Sequence, residues 1–287
     1  MLRTLSFICL AFGATAAMAQ DFPVTVEHAF GETTIEERPE RVASVGWANH
    51  EVPLALGIVP VGFARASWGD DDGDGLLPWV IERLDALDAE VPTLFDEGDG
   101  IDFEAVASTQ PDVILAAYSG LSQSDYETLS RIAPVVAYPE AAWTTTWREM
   151  IRQNAAGLGM AEEGDAMVAE IEERIATARA AHPELAGKTG MFVTHLDPRD
   201  LSTIGFYAAA DQRVQFLTDL GMATPQAVRE ASEAGKYSGR VSAERIDLFE
   251  DVDVVVTYGD QARLDELAKN PLIARFPAVA RGSVVLL

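Results

Sequence analysis

The chain has 287 residues, with 21 basic against 46 acidic side chains and a net charge of −25. That balance argues against nucleic acid or an anionic membrane surface as a partner. The length and an apolar share of 48% allow a sizeable core, in one large domain or two smaller ones.

Residues 1–19 read as an export signal rather than as part of the fold. Arg3 opens the segment, Leu5 to Ala17 is mostly apolar, and Ala17-Met18-Ala19 fits a small-x-small cleavage site that would leave Gln20 as the new N-terminus. The apolar run is too short to span a bilayer comfortably. The single cysteine, Cys9, lies inside it and lacks the flanking residues of a lipoprotein signal. The mature chain is therefore expected to carry no thiol, no disulfide and no lipid anchor, and to be soluble in a bacterial periplasm.

Val24-Thr25-Val26 and Thr33-Thr34-Ile35 bracket Phe30-Gly31 and predict a hairpin. Strands are expected at Arg41 to Val45 and Val59 to Phe63, with a helix from Val52 to Leu56 between them and another from Val80 to Leu87. Tyr126 to Ile132 predicts a helix that leads to a strand at Val135-Val136-Ala137, and Trp147 to Leu158 a helix closed by Gly159. Ala161 to His182 is the longest helical pattern, with Met167, Val168, Ile171, Ile175 and Ala178 on one stripe. It is longer than a local crossover needs and reads as a bridge between two lobes. Met191 to Thr194 then starts a second α/β unit, with helices at Val214 to Leu220 and Leu264 to Ala268 and a last strand at Val284 to Leu287. Strands alternating with helices indicate parallel sheets.

A short cassette occurs twice. The first copy runs Asp102-Phe103-Glu104-Ala105-Val106, Pro111-Asp112-Val113-Ile114-Leu115 and Tyr118. The second runs Ser242-Ala243-Glu244-Arg245-Ile246, Asp251-Val252-Asp253-Val254-Val255-Val256 and Tyr258. Each reads as a helix cap, a Glu in the first turn, a short helix, a buried strand and a Tyr past the strand end. Two such units suggest two lobes, and two lobes enclose a cleft.

Motifs for catalysis are missing. There is no Gly-x-Ser-x-Gly elbow and no Walker loop, and Gly57 to Gly62 lacks the spacing of a dinucleotide fingerprint. Asn49-His50-Glu51 is half of a zinc-protease motif whose second His is replaced by Leu54. His28, His50, His182 and His195 are scattered without ligand spacing, so no directly bound metal is expected. Asp70, Asp72, Asp74 and Gly75 match the opening of a calcium loop, but the place of the bidentate Glu is taken by Ile81 and Pro78 interrupts. A solvated acidic loop at the cleft rim and a calcium loop both stay open.

Candidate ligand contacts are aromatics in the loops after strands: Trp47, Trp68, Tyr118, Trp143, Phe206, Tyr207, Tyr237 and Tyr258. In open α/β sheets ligands bind beyond the carboxyl ends of the strands. Arg65, Arg199, Arg213 and Arg240 stand out where basic residues are scarce, and an Arg fork in a cleft would hold an anionic or carbonyl-rich ligand. Glu104 and Glu244 complement helix dipoles. Matching exposed carboxylates on matching lobes also suit basic pockets on a two-fold partner.

The chain resembles the substrate-binding proteins of bacterial iron-siderophore and cobalamin ABC importers. The marks are Arg41-Val42-Ala43-Ser44 with Leu56-Gly57-Ile58-Val59-Pro60-Val61-Gly62, then Asp99-Gly100-Ile101-Asp102-Phe103-Glu104 and Pro111 to Leu115. They continue with Ile132-Ala133-Pro134-Val135-Val136, Val241-Ser242-Ala243-Glu244 and Phe276-Pro277-Ala278-Val279. Pro78-Trp79-Val80 and Ser119-Gly120-Leu121 look closest to the ferric-siderophore branch, and Asp197-Pro198-Arg199 is similar to a segment of ferric-hydroxamate binders.

The resemblance implies an α/β fold of two Rossmann-like lobes, each with a central parallel sheet, joined by one long helix with a ligand cleft between them. The expected organisation is a signal peptide at 1–19, an N-terminal lobe at 20–160, an inter-lobe helix at 161–183 and a C-terminal lobe at 184–287. It implies a periplasmic, non-enzymatic monomer that binds a ferric siderophore and delivers it to the permease dimer of an inner-membrane ABC importer. No cofactor is expected, since the siderophore itself holds the iron. Expected ligand contacts are Trp47, Arg65, Trp68, Tyr118, Trp143, Tyr207, Tyr237 and Arg240, and Glu104 and Glu244 would dock onto permease arginines. Cobalamin or haem delivery is the alternative on the same fold, haem with Tyr118, Tyr237 or His195 as axial ligand, and a periplasmic enzyme the alternative from another class. The chain departs from the family in two ways. Asp96-Glu97 and Asp99 stand where hydroxamate binders place a ligand-clasping Arg, and the sequence stops at Val284 to Leu287, where family members continue with a loop and a closing helix. The siderophore chemistry stays open between hydroxamate, catecholate and mixed types. The single long helix implies little hinge motion.

Overall fold

The structure, a computed structural model, describes residues 22–194 and 202–287. The expected export signal with Cys9, the His195 axial-ligand candidate and the Asp197-Pro198-Arg199 segment lie outside the described residues.

Strands β1 (Val24–His28) and β2 (Gly31–Ile35) form the predicted hairpin, with Val24 opposite Ile35. Their alternation turns Val24, Val26 and Ile35 onto a cluster with Val42, Val113 and Leu115. The first sheet contains β3 (Val42–Ser44), β4 (Gly62–Ala64), β5 (Thr93–Phe95), β6 (Val113–Ala116) and β7 (Val135–Ala137). Its order is β5-β4-β3-β6-β7 and every neighbouring pair is parallel. Helices α1 (Glu51–Ala55), α2 (Pro78–Ala86), α3 (Phe103–Ser108) and α4 (Gln123–Leu129) connect the strands. The β3 and β6 side chains are buried along their whole length, as a sheet covered on both faces requires. Two strands differ from expectation. β4 begins at Gly62 rather than Val59, because Pro60 has no N–H to give a ladder. β5 was not anticipated, since three residues are too few to show a period.

Helix α5 (Trp147–Gly157) starts at a capping box in which Thr146 and Glu149 satisfy each other's backbone N–H groups. Helix α6 (Ala161–Ala181) then carries the chain from one lobe to the other. Only the first half of its expected stripe packs: Val168 is buried, with Met167 and Ile171 against Ile151 and Ala155 of α5. Ala178 is exposed, and the last turn instead sets the Arg179 guanidinium against Gly221 in the second lobe. This division of contacts makes α6 a bridge.

The second lobe holds β8 (Gly190–Phe192), β9 (Thr203–Tyr207), β10 (Ser238–Ser242), β11 (Val254–Thr257) and β12 (Val284–Leu286). Strands β8, β11 and β12 form a parallel sheet in the order β12-β11-β8. β9 and β10 pair antiparallel, with Tyr207 opposite Ser238, so this lobe is not parallel throughout. Helices α7 (Gln212–Asp219), α8 (Gln226–Ala231), α9 (Gln261–Leu267) and α10 (Pro277–Ala280) complete it. β9, β10 and α8 were not anticipated. Gly205 and Gly239 dilute the strand pattern, and the pairing is fixed at long range by burial of Ile204 and Phe206 in the lobe core. Among the described residues no helix is long and apolar enough to cross a membrane.

The two cassettes are structural counterparts. Asp102 caps α3 by accepting the Ala105 N–H, and Ser242 caps its own segment by accepting the Glu244 N–H. The strand-leading aspartates act alike as well. Asp112 accepts the Arg41 N–H just before β3, and Asp253 accepts the Thr189 N–H just before β8. The copies diverge in their helices. The second, Ala243–Phe249, is a 3-10 segment with a kink at Arg245.

Candidate functional site

In the first sheet the chain leaves β3 toward β4 on one side and reaches β6 on the other. The loops after β3 and β6 therefore part at the carboxyl edge, at a topological switch point. Asn49, fully buried, ties the two loops together. Its Nδ2 donates to the carbonyls of Val45 (2.8 Å) and Tyr118 (2.9 Å), and its Oδ1 accepts the Tyr118 N–H at 3.0 Å and the Asn154 Nδ2 at 3.0 Å. The Trp47 N–H donates to the Tyr118 carbonyl as well, at 3.2 Å. These bonds fix Tyr118, which is 3% exposed. Trp143 meets its ring edge-on, with centroids 5.3 Å apart. Gly120 is required here, because a Cβ would lie 2.5 Å from the Trp143 Nε1.

Glu97, in the loop after β5, reaches back to the same edge. Both its carboxylate oxygens face the Gly46 N–H, at 3.2 and 3.1 Å. Gly46 has φ +74°, and a Cβ there would lie 2.8 Å from the Tyr118 carbonyl, so glycine alone fits. Burial pushes the Glu97 carboxyl up to about 7, against the lowering effect of that hydrogen bond. Beside it His50 stacks on Phe63 at 4.2 Å, and its Nδ1 is buried without a hydrogen-bond partner. Burial pulls this imidazole down to about 4. Gly46, Trp47, His50 and Arg65 line a cavity of about 10 Å³, room for a single water.

The facing wall comes from the second lobe. Asp211, 0% exposed, caps α7 through the Arg213 N–H at 2.9 Å and accepts the Arg213 guanidinium at 2.8 and 2.7 Å. Burial opposes the Arg213 charge, but the hydrogen bonds and charge of Asp211 outweigh it and the guanidinium pKa is raised. The guanidinium carbon stacks 3.6 Å over the Tyr207 ring, and the Tyr258 side chain interacts with both. The lobes meet at this point. The Tyr118 hydroxyl bonds to the side chain of Gln212, and its pKa is pushed up to about 12 by burial first and the Asp211 charge second. Tyr207 is pushed up to about 12 by burial. On the α6 side, Asp219 accepts the Trp147 Nε1 (3.1 Å) and the Arg148 guanidinium (2.9 Å), which also bonds Glu172 at 2.6 Å.

The expected residues thus divide. Tyr118, Trp143 and Tyr207 converge on the inter-lobe contact, and Trp47 adjoins them at the switch point. Arg65 is exposed beside the small cavity. Trp68 is 65% exposed on the rim loop, and Tyr237 and Arg240 are exposed at β10. Glu104 and Glu244 are exposed in the first turns of their cassette helices. Arg213, one of the four arginines that stood out in the sequence, is the guanidinium beside Tyr207 and Tyr258. The signal for Arg213 was the Asp-x-Arg spacing at a helix start, which lets one carboxylate cap the helix and hold the guanidinium. The Asp70 loop folds on itself. Asp70 accepts the Gly73 and Gly75 N–H groups at 2.8 Å, and the Asp70, Asp72 and Asp74 carboxylates lie within 4.8 Å of one another.

Residues 42–287 match the periplasmic binding protein family. The iron-uptake ABC transporter substrate-binding protein PiaA of Streptococcus pneumoniae, solved in complex with ferrichrome, is 41% identical, with a TM-score of 0.87 over 92% of this chain and 88% of that one. The ferric enterobactin-binding periplasmic protein FepB of Escherichia coli is 23% identical over 97% of this chain and 88% of its own length. The probable siderophore-binding lipoprotein YfiY of Bacillus subtilis is 25% identical over 86% of this chain and 71% of its own. The chain belongs to the periplasmic binding protein family.

Proposed function

We propose that the protein captures a ferric siderophore between its lobes and delivers it to an inner-membrane ABC importer. The observation that carries this reading is the convergence of Tyr118, Tyr207, Tyr258 and Arg213 where the two lobes meet. Phenol hydroxyls donate to the oxygens of a chelate beside the Arg213 guanidinium, whose Nε and Nη2 are held by Asp211, while Trp47 and Trp143 offer ring faces to its organic backbone. Binding is non-covalent, and the iron stays in the siderophore. Relatives named for siderophore binding and iron uptake support the ligand class. The lobes, at 20–160 and 184–287 on either side of the helix at 161–183, touch at Tyr118 and Gln212. A ligand of several hundred Å³ needs that contact to part. The test is tryptophan fluorescence quenching against a panel of ferric siderophores, with cobalamin and haemin as controls. Saturable quenching by at least one ferric siderophore is expected, and none at all would overturn the proposal.

The same reading assigns Glu104 and Glu244 to docking, one on each lobe, against basic pockets of a permease dimer. The mature protein is then a monomer exported by a cleaved signal, without a lipid anchor. Glu104→Ala combined with Glu244→Ala is expected to cut iron uptake by cells at least tenfold while siderophore titrations still saturate at the same affinity. Loss of affinity in that variant would assign the two residues to the site or the fold instead.

A further inference from the structure

Helix α7 touches the first lobe at both of its ends. Gln212, its first residue, meets the Tyr118 hydroxyl. Asp219, its last, accepts the Trp147 Nε1 at 3.1 Å and the Arg148 Nη1 at 2.9 Å, both on the same carboxylate oxygen. At 1.5 Å per residue the two ends lie about 10 Å apart. The Gln212 end belongs to the cleft, where Asp211 caps the helix and Arg213 stacks on Tyr207. The Asp219 end lies beside the crossing between the lobes. Arg148, stacked over the Trp147 ring at 4.3 Å, also bonds Glu172 of α6 at 2.6 Å. Arg179, in the last turn of α6, packs against Gly221, just beyond the end of α7.

Local helix energetics do not explain an aspartate at this place. A carboxylate at a helix C-terminus opposes the helix dipole, and Asp is a weak helix former. The partners of Asp219 come instead from α5, 71 and 72 positions earlier in the chain. The Arg148 and Asp219 side chains are 27% and 19% exposed, so water screens this charge-assisted bond only in part.

We propose that Asp219 is a positioning residue for ligand capture: clasped by Trp147 and Arg148, it fixes the hinge end of α7, while Gln212 and Arg213 at the other end swing away from Tyr118 to admit the ligand and return over it. Groups near a hinge are displaced least when two lobes part. The clasp therefore holds in the open and the closed arrangement, and the bond from Tyr118 to Gln212 breaks and re-forms. Asp219 touches no ligand. It acts through α7, by setting how far apart the two walls stand.

The clasp presupposes the capture between lobes proposed above, and its test reads the lobes both with and without a ligand. Nitroxides are attached at Ser130→Cys and Glu250→Cys, one exposed site on each lobe of a chain with no cysteine beyond Cys9. Pulsed electron paramagnetic resonance gives the distribution of lobe-to-lobe distances in the wild-type background and with Asp219→Asn, Arg148→Gln or both. Stopped-flow fluorescence on the unlabelled proteins gives the rates for ferrichrome, the ligand in the PiaA complex. Each single variant is expected to broaden the distances in the ligand-free protein. Each should also release ferrichrome about tenfold faster, the effect of losing one charge-assisted hydrogen bond. The double variant should be no worse than either single one, because both remove the same bond. A purely local role for Asp219 gives a different result: unchanged distances and release, with Asp219→Asn at least as stable as wild type because its helix end has lost an opposing charge. That result would overturn the proposal. If the wild type binds no chelate of the panel above, the siderophore reading falls, and the ligand-free distances still decide the clasp.

Discussion

Replacing Arg213 with methionine is expected to lower stability by about 3–5 kcal/mol and to abolish siderophore binding. Methionine keeps much of the side-chain bulk over Tyr207, so the loss is mainly electrostatic. Asp211 is 0% exposed, and its two oxygens are matched to the guanidinium at 2.8 and 2.7 Å. Removing the cation leaves a buried carboxylate whose remaining partner is the Arg213 backbone N–H. At roughly 2–4 °C per kcal/mol for a chain of this size, the melting temperature would fall by about 10 °C. Thermal unfolding of the variant measures this. The double variant Arg213→Met with Asp211→Asn is expected to recover part of the stability, since the unpaired charge is gone, but none of the binding. A single variant within 1 kcal/mol of wild type would show that water reaches Asp211 and that the pair is not a closed unit.

The second large effect is on the pH dependence of stability. Glu97 has its carboxyl raised to about 7 in the folded protein, from an ordinary value of 4.5. The folded form thus binds the proton more tightly than the unfolded form. The carboxyl adds no penalty below pH 4.5, and ionising it costs progressively more as pH rises to 7. Glu97→Gln removes that cost, and is expected to be more stable than wild type by up to ~3 kcal/mol at pH 8 and equal to it near pH 4. His50 runs the other way. Its imidazole is lowered from 6.5 to about 4, so its contribution is complete above 6.5 and is lost as pH falls toward 4. Between pH 4.5 and 6.5 the two slopes oppose each other, which keeps the wild type nearly level. Glu97→Gln should unmask the His50 slope, with stability falling between pH 7 and 5. Chemical denaturation at pH 5, 7 and 8 tests this, and parallel curves for the two proteins would place the Glu97 carboxyl in water.

Much of the fold was legible because burial leaves a period. The hairpin, the strands of the first sheet other than β5, and α5 and α6 all follow from runs of apolar residues and caps such as Thr146 with Glu149. What escaped was set at long range. β10 contains Ser238, Gly239 and Arg240, and it is a strand because Phe206 and Ile204 on its partner are buried. The site divides along the same line. Tyr118 was visible from the end of an expected strand, and the structure sets Trp143 edge-on against it, whereas Tyr207 lies at the end of β9, a strand that was not anticipated. Asn49 was noticed only as part of a broken zinc motif, yet it is the side chain that ties the switch-point loops. Nothing local distinguishes such a residue, because its partners lie up to 105 positions away. The acidic run at Asp96-Glu97 and Asp99 was recognised as a departure from family pattern, and the Gly46 bond gives that departure a location.

The chain passes between the two sheets once. Every strand of the first sheet falls between Val42 and Ala137, and every strand of the second lobe between Gly190 and Leu286. A polypeptide threaded through a membrane pore N-terminus first would have its whole first sheet outside while the second was still in transit. Among the described residues no strand in either half waits for a partner from the other, so the half-delivered chain has little reason to misassemble or to cling to its neighbours. The bonds that close last are those from Tyr118 to Gln212 and from Arg148 to Asp219. The cleft would then be the final part of the molecule to exist, and its presence a sign that delivery is complete.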